Sequence, residues 1–281
     1  MTEQRSFQLA DGDFDLLAWC YELRFATVDH FIALSKRHRP ALARRIVKLL
    51  ERGYLARIIL PGQKHIYTIG KAALPLLAER GIAPAEKIDA RLRTSELKEL
   101  FLKHALMIVD VHASLMLASH NTPINLIRWQ EGKELWDSIK VSEEGKQRRL
   151  PVCPDGLFTL QDTSRPEDRN RLHFALEADR STTTQARFKD KIVGYWNYLQ
   201  SGQQEKRYGM KHFRVVTVTL TDERAANLAQ MAVEVTPPPL RKFFLFTSLK
   251  QFSLENPAPI LDEIFITPRD PENGRVRLVP A

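Results

Sequence analysis

The chain has 281 residues, of which 43% are apolar and 27% are charged, and this composition is ordinary for a globular protein. Long disordered stretches are therefore not expected, and the length favours two domains. The chain carries 42 Lys and Arg against 34 Asp and Glu, a formal net charge of +8. This basic excess favours a polyanionic partner, because each cation placed on a phosphate releases a condensed counterion.

Cysteine content and the N-terminal residues exclude several other protein classes. With Cys20 and Cys153 alone, the chain cannot build a disulfide framework or a cysteine-based zinc site. The first ten residues include Glu3 and Arg5 and lack the apolar core of a signal peptide. The sequence contains no run of about 18 apolar residues, so no membrane span is predicted. We therefore expect a cytoplasmic protein without a membrane partner.

The first eighty residues have the pattern of three helices, a hairpin and a fourth helix. Apolar spacing predicts helices over 14–21, 28–34 and 41–52, with Thr27 capping the second and Gly53 ending the third. Strands are predicted over 54–60 and 65–69, and a helix over 72–80. This order is typical of a winged helix-turn-helix, whose recognition helix enters the major groove. We assign residues 1–84 to such a DNA-binding domain.

Basic residues are dense where such a domain would meet DNA. Between Lys36 and Arg57 the single acidic residue is Glu51. The expected partner is double-stranded DNA, and the predicted contacts are Lys36, Arg37, Arg44, Arg45, Lys48, Arg57 and, on the wing, Lys64. The alternative is a winged helix that contacts protein, with these charges merely solvated.

Residues 85–281 have an alternating strand and helix pattern. After a linker over 81–93, a helix is predicted over 95–118, and this long helix is a candidate homodimer contact. Residues 131–149 are polar and predict a loop. Strands are predicted over 124–130, 173–179, 213–220, 243–248 and 264–267, with a further strand after Asp155 and helices over 185–199 and 222–233. We expect an α+β or α/β domain with a mixed sheet of four to six strands.

Two carboxylates on neighbouring predicted strands suggest nuclease chemistry. Asp155 opens one strand and Glu177 lies near the end of the next, so they could converge on Mg²⁺ or Mn²⁺ ions that activate a water. The pattern resembles the PD-(D/E)xK nuclease superfamily. Asp179 occupies the usual lysine position, and the resemblance implies that Lys191, or else Lys189, on the following helix replaces that lysine.

A longer set of motifs extends the resemblance over residues 14–220. The basic N-terminal domain, Lys103-His104-Ala105, Pro154-Asp155, Leu176-Glu177-x-Asp179-Arg180 and Lys191-Ile192 together resemble the bacterial replication-relaxation family. The resemblance implies a role in replication of plasmids or mobile elements, or in its control. It also implies that Asp179 belongs to a recurring Glu-x-Asp-Arg signature.

Two hypotheses remain open for this region. One is a DNA-binding replication factor whose nuclease-like domain is inactive, with Glu177 or Asp179 paired to a nearby Arg180, Arg187 or Lys189. The other is an active Mg²⁺-dependent DNA endonuclease or nickase.

Overall fold

A computed structural model describes residues 7–82, 98–143, 145–181, 183–272 and 274–280. The chain forms two compact units, residues 1–113 and 114–281. The predicted domain border between residues 84 and 85, and most of the predicted linker, lie outside the described residues. Helices precede a mixed sheet with its own helices, so the chain is an α+β protein.

The first unit contains the elements that the sequence predicts for its first eighty residues. Three helices are followed by an antiparallel hairpin, a 3₁₀ turn over Lys71–Ala73 and a short helix. The elements are α1 (Asp11–Leu23), α2 (Val28–Ser35), α3 (Arg39–Glu51), β1 (Leu55–Ile58), β2 (Ile66–Ile69) and α4 (Leu74–Glu79).

The sequence explains where α3 begins, ends and packs. Pro40 lies in its first turn, where a missing N–H costs no hydrogen bond. Leu42, Ile46 and Leu49 recur at helical spacing and are buried, so one face joins the core. Gly53 has φ +70°, and its N–H donates to the carbonyl of Leu50 at 3.0 Å. The predicted glycine therefore ends the helix in a conformation that other residues rarely adopt.

The helix α5 (Glu99–Ala118) follows within the predicted 95–118 stretch. It is long and apolar enough to cross a membrane by length and composition, although the sequence predicts no membrane span. A buried core helix passes the same test, and half of its apolar window is buried within the protein.

A seven-stranded sheet forms the centre of the second unit, so the predicted four to six strands are too few. Three strands, β7 (Arg171–Asp179), β8 (Arg214–Thr219) and β9 (Phe244–Ser248), run parallel, and the other neighbouring strands pair antiparallel. In spatial order the strands are β11 (Arg275–Val276), β10 (Phe265–Ile266), β9 (Phe244–Ser248), β8 (Arg214–Thr219), β7 (Arg171–Asp179), β6 (Gly156–Asp162) and β3 (Ile124–Gln130). Two of them, β10 and β11, contain only two residues each.

The loop prediction for residues 131–149 is wrong. This stretch forms most of a separate hairpin of β4 (Asp137–Glu143) and β5 (Lys146–Val152). Most of its charged residues are exposed, whereas Ile139, Val141 and Leu150 join the core beneath a neighbouring helix. High charge on the exposed face concealed the alternation that marks a half-buried strand.

The parallel strands and their helices create two distinct sheet edges. The helices α6 (Gln185–Ser201) and α7 (Gln203–Tyr208) connect β7 to β8, and α8 (Asp222–Val235) connects β8 to β9. Ile192 of α6 and Leu228 of α8 pack with Ala175 and Val215 in one core. Because the three strands are parallel, their amino ends lie at one edge of the sheet and their carboxyl ends at the other.

Candidate functional site

The carboxylate of Glu177 lies buried on β7 beneath α6. Lys191 and Tyr195, four residues apart on α6, lie on the same helix face. The Lys191 Nζ donates a hydrogen bond to Oε2 of Glu177, and the Tyr195 hydroxyl donates to Oε1. Both oxygens of this carboxylate therefore have a donor from the helix above.

The pKa values of Glu177, Lys191 and Tyr195 all lie above their ordinary values. Burial raises the pKa of Glu177, and Lys191 opposes this shift while Asp155 adds to it. Burial by itself lowers the pKa of Lys191, but the Glu177 carboxylate reverses this and the net shift is upward. Burial and the charge of Glu177 raise the pKa of Tyr195 well above its ordinary value. Lys191 and Tyr195 therefore keep their protons at neutral pH and remain donors to Glu177.

Asp155 lies beside this cluster at the start of β6. Its neighbour Gly156 pairs with Leu176, the residue before Glu177. The Asp155 N–H donates to the carbonyl of Leu176 at 2.9 Å, and the Ala178 N–H donates to Oδ2 of Asp155 at 2.8 Å. The structure thus brings together Asp155, Glu177 and Lys191, three of the five residues for which the sequence predicts a catalytic role.

The other two predicted catalytic residues have partners on α8. Asp179 shares a strand face with Glu177, since residues two apart point the same way. Arg224 Nε donates to Oδ2 of Asp179 at 2.8 Å, a partner 45 residues away that the sequence could not indicate. Lys189 Nζ donates to Glu234 Oε2 at 2.6 Å. Lys191, not Lys189, is therefore the lysine that reaches Glu177.

Hydrogen bonds already engage the carboxylates of Asp155 and Glu177, which the sequence predicts as ligands of Mg²⁺ or Mn²⁺. The described parts of the chain contain no group of three His, Cys, Asp or Glu side chains placed to hold one metal ion. Both Glu177 oxygens already accept hydrogen bonds, and one Asp155 oxygen accepts from the backbone. Mg²⁺ usually keeps several waters and binds one or two protein carboxylates, and each carboxylate oxygen has two lone pairs, so an ion here would share Asp155 and Glu177 with their present hydrogen-bond donors.

The solvent face of α3 presents two predicted DNA contacts. Arg44 and Lys48 are exposed, and Val47 between them is 50% exposed. In the described part of the chain neither cation forms an ion pair. This face therefore combines two available charges with a small apolar patch.

Arg45 faces a different environment from its two neighbours. Its guanidinium donates to both carboxylate oxygens of Asp13 on α1 and to the backbone carbonyl of Gln8 at 2.8 Å. Asp13 is buried and also accepts from the Ala10 N–H at 2.7 Å. Arg45 therefore joins α3 to α1 and to the segment before it.

The four remaining predicted DNA contacts lie on the turn before α3 and on the hairpin. Lys36 ends α2 with φ 54° and is exposed, and Arg57 is exposed on β1. Arg37 lies against Gly12, donating to its carbonyl at 3.5 Å. Lys64 donates to Asp29 Oδ2 at 2.6 Å but remains largely in solvent.

The family model described as replication-relaxation matches residues 17–213, more than two thirds of the chain. The chain belongs to the replication-relaxation family. The match supports a role related to replication for this protein. It covers the α3 face and the Asp155, Glu177 and Lys191 cluster, but it ends before β8 and so leaves out Arg224. No curated protein and no solved structure matches this replication-relaxation protein.

Proposed function

We propose that this replication-relaxation protein binds double-stranded DNA through the exposed face of α3, in replication of a plasmid or mobile element or in its control. The observation that carries the proposal is the contrast between neighbouring cations on one helix. Arg45 is held by Asp13, while Arg44 and Lys48 point to solvent.

In this proposal the first unit is a winged helix-turn-helix. The α2–α3 pair would place α3 in the major groove, with β1 and β2 as the wing. Arg44 and Lys48 can donate to the O6 and N7 acceptors of guanine, and Val47 can contact a thymine methyl. Lys36, Arg57 and Lys64 suit phosphate contacts, which fix position and carry no sequence information.

In the same proposal the second unit does not cleave DNA. Support for this part of the proposal is that its buried carboxylate is engaged by Lys191 and Tyr195. The cluster then orders α6 over β7, and the unit positions the DNA-binding domain or contacts other replication proteins.

Binding of an Arg44→Gln, Lys48→Gln variant to duplex DNA tests the proposal. Each lost base contact weakens specific binding by about 1–3 kcal/mol. We therefore expect the double variant to lose roughly tenfold or more in affinity. If both side chains instead contact phosphates, the slope of log affinity against log salt falls by about 2. A matched control is Arg187→Gln, Lys206→Gln, which removes two exposed charges from the second unit. Equal affinity of the two variants would contradict the proposal.

One observation favours the alternative of a metal-dependent nuclease, namely the approach of Lys191 to Glu177. Under that alternative, the chain would nick supercoiled plasmid in Mg²⁺ or Mn²⁺, and Asp155→Asn and Glu177→Gln would each abolish nicking. We expect no metal-dependent nicking by the wild-type chain. Nicking that both variants lose would replace the non-catalytic proposal and leave the α3 prediction intact.

A further inference from the structure

A basic cavity lies at the amino edge of the parallel strands in the second unit. It has a volume of about 370 Å³, within the usual range for pockets that hold small ligands. Its polar lining comes from the starts of β7 and β8 and from the segments before β8 and β9: Arg171, His173, His212, Arg214 and Lys242. None of the described lining residues is acidic.

Arg214 is the residue whose charge most needs a partner. It is the first residue of β8 and is partly buried, with its guanidinium 5.4 Å from the centre of the Phe174 ring. Within the described ranges it forms no ion pair. Burial, with a smaller effect of the Arg165 charge, lowers the pKa of Arg214 to about 10, so it stays charged at neutral pH. A partly desolvated charge without a counterion is costly, and an anionic ligand would offset that cost.

The neighbouring groups add further donors around the same space. Burial, together with Arg128 and Arg171, lowers the pKa of His173, which favours a neutral imidazole. That ring makes a 2.9 Å hydrogen bond to Thr159 through Nδ1. Lys242 is exposed at the rim, and Phe243 offers an aromatic surface beside it. The cavity thus combines two guanidinium groups, an ammonium group and two imidazoles with an apolar wall.

We propose that this cavity binds a phosphate group, carried either by a free nucleotide or by the phosphorylated end of a DNA strand. A guanidinium group matches phosphate geometry through paired, charge-assisted hydrogen bonds. A cavity lined by several cations and no acid suits a ligand with a doubly charged phosphate monoester better than a ligand with a single carboxylate. The volume accommodates a ligand of about mononucleotide size.

The cavity is separate from the carboxylate cluster, and its lining residues all belong to the second unit, whereas α3 belongs to the first. Arg171 precedes Glu177 by six strand residues, which corresponds to roughly 20 Å along β7. The proposal therefore does not depend on DNA binding by α3 or on cleavage at Glu177.

Calorimetric titration of the full chain tests the proposal, with inorganic phosphate, dAMP and a single-stranded oligonucleotide carrying a 5′ phosphate as probes. Deoxyadenosine and the same oligonucleotide with a 5′ hydroxyl are the matched ligands without the phosphate monoester. The oligonucleotide arms use the Arg44→Gln, Lys48→Gln background, so that DNA binding by α3 is weakened in both arms. Sodium chloride at equal ionic strength controls for general screening.

We expect dAMP or the 5′-phosphorylated strand to bind, and the ligands without the phosphate monoester to bind at least about tenfold more weakly. Arg214→Gln should weaken phosphate binding by about ten- to a hundredfold, Arg214→Lys by less, and the exposed rim variant Lys242→Gln by a few fold. Arg187→Gln, at the opposite sheet edge, should leave binding unchanged. Preference for dAMP would assign the site to a nucleotide, and preference for the strand would assign it to a DNA end.

Two results would overturn the proposal. One is the lack of any saturable phosphate binding tighter than about 1 mM. The other is equal phosphate affinity of wild type and Arg214→Gln or, where that variant fails to fold, of wild type and Lys242→Gln. Lys242→Gln keeps the test valid if an Arg214 variant fails to fold, because Lys242 is exposed.

Discussion

Lys191 reaches from the surface of α6 to the buried carboxylate of Glu177 on β7. Its side chain is 37% exposed, whereas that of Glu177 is 4% exposed. The two residues therefore differ in what happens when the partner is lost, because the lysine can return to water and the carboxylate cannot.

We expect Lys191→Met to destabilise the protein more than Glu177→Gln does. Lys191→Met leaves a buried carboxylate without its cation, at a cost of about 2–3 kcal/mol near neutral pH, below the full range because Tyr195 still donates. Glu177→Gln keeps an acceptor for Tyr195 and frees an ammonium that water can solvate, at a cost of about 1 kcal/mol. Urea denaturation of both variants measures the difference.

The loss in free energy of unfolding caused by Lys191→Met should also depend on pH. Burial raises the pKa of Glu177 in the folded state, and loss of Lys191 raises it further. A raised folded pKa contributes stability at pH values below the unfolded pKa, and this stability is lost as pH rises through the folded pKa. The variant should therefore approach wild-type stability in acid and fall away towards neutral pH. A constant difference across this range would contradict the assignment of the lysine to a charged Glu177.

Arg45→Met should destabilise the protein, whereas Arg44→Met should not. Asp13 is 1% exposed and Arg45 is 24% exposed, so loss of Arg45 leaves a buried charge that is only partly compensated. We expect a loss of about 2 kcal/mol for Arg45→Met and a change within about 0.5 kcal/mol for the exposed Arg44. Thermal denaturation compares the two.

The ion pair between Arg45 and Asp13 also affects how DNA binding should be tested. A triple alanine variant at positions 44, 45 and 48 would combine lost contacts with a weakened α1–α3 contact. If Arg45→Met proves as stable as Arg44→Met, the ion pair contributes little and Arg45 becomes available for DNA.

Asp222 should stabilise the start of α8 above about pH 4. Hydrogen bonds from Ser248 and Gln251, at 2.6 and 2.8 Å, lower the pKa of Asp222, with smaller help from Lys250 and Arg275. A depressed folded pKa gives stability that is present above the unfolded pKa and is lost as pH falls through the folded value.

Asp222→Asn should therefore cost about 1 kcal/mol at pH 7 and progressively less as the solution is acidified below about pH 4. Urea denaturation at a series of pH values measures this. Glu223→Gln, one residue later and exposed, is the comparison. It tests whether the hydrogen bonds from Ser248 and Gln251 matter beyond the negative charge near a helix amino terminus. An equal pH-dependent loss in both variants would assign the effect to the helix terminus.

Gly70→Ala should destabilise the first unit. The Gly70 N–H donates to the carbonyl of Tyr54 at 2.8 Å, and an added Cβ would overlap the backbone carbonyl oxygen of Gly53. Backbone cannot move as a flexible side chain can, so we expect a loss of at least about 2 kcal/mol. Gly62→Ala is the comparison, because its Cβ would meet no atom. Its φ of +68° gives it a penalty of about 1 kcal/mol. Differential scanning calorimetry distinguishes the two.

Local patterns of sequence were enough to predict most helices and strands. Thr27, Gly53 and the apolar stripe of α3 act within a few residues, so their effect can be read without the fold. The β4–β5 hairpin could not be read this way, because its burial comes from α6, about forty residues later in the chain. The four-residue spacing of Lys191 and Tyr195 places both on one helix face, but it does not show that Glu177 lies beneath that face.

The sequence by itself determined a fold with both helices and strands, the basic segment from Lys36 to Arg57 and the resemblance to the replication-relaxation family, because composition, periodicity and linear motifs carry that information. Only the tertiary structure decided which charges are already paired: Arg45 with Asp13, Asp179 with Arg224, Lys191 with Glu177. It also brought Arg171, Arg214 and Lys242 to one cavity. Ion pairs and pockets depend on distances between residues far apart in the chain, and strand order and helix packing fix those distances.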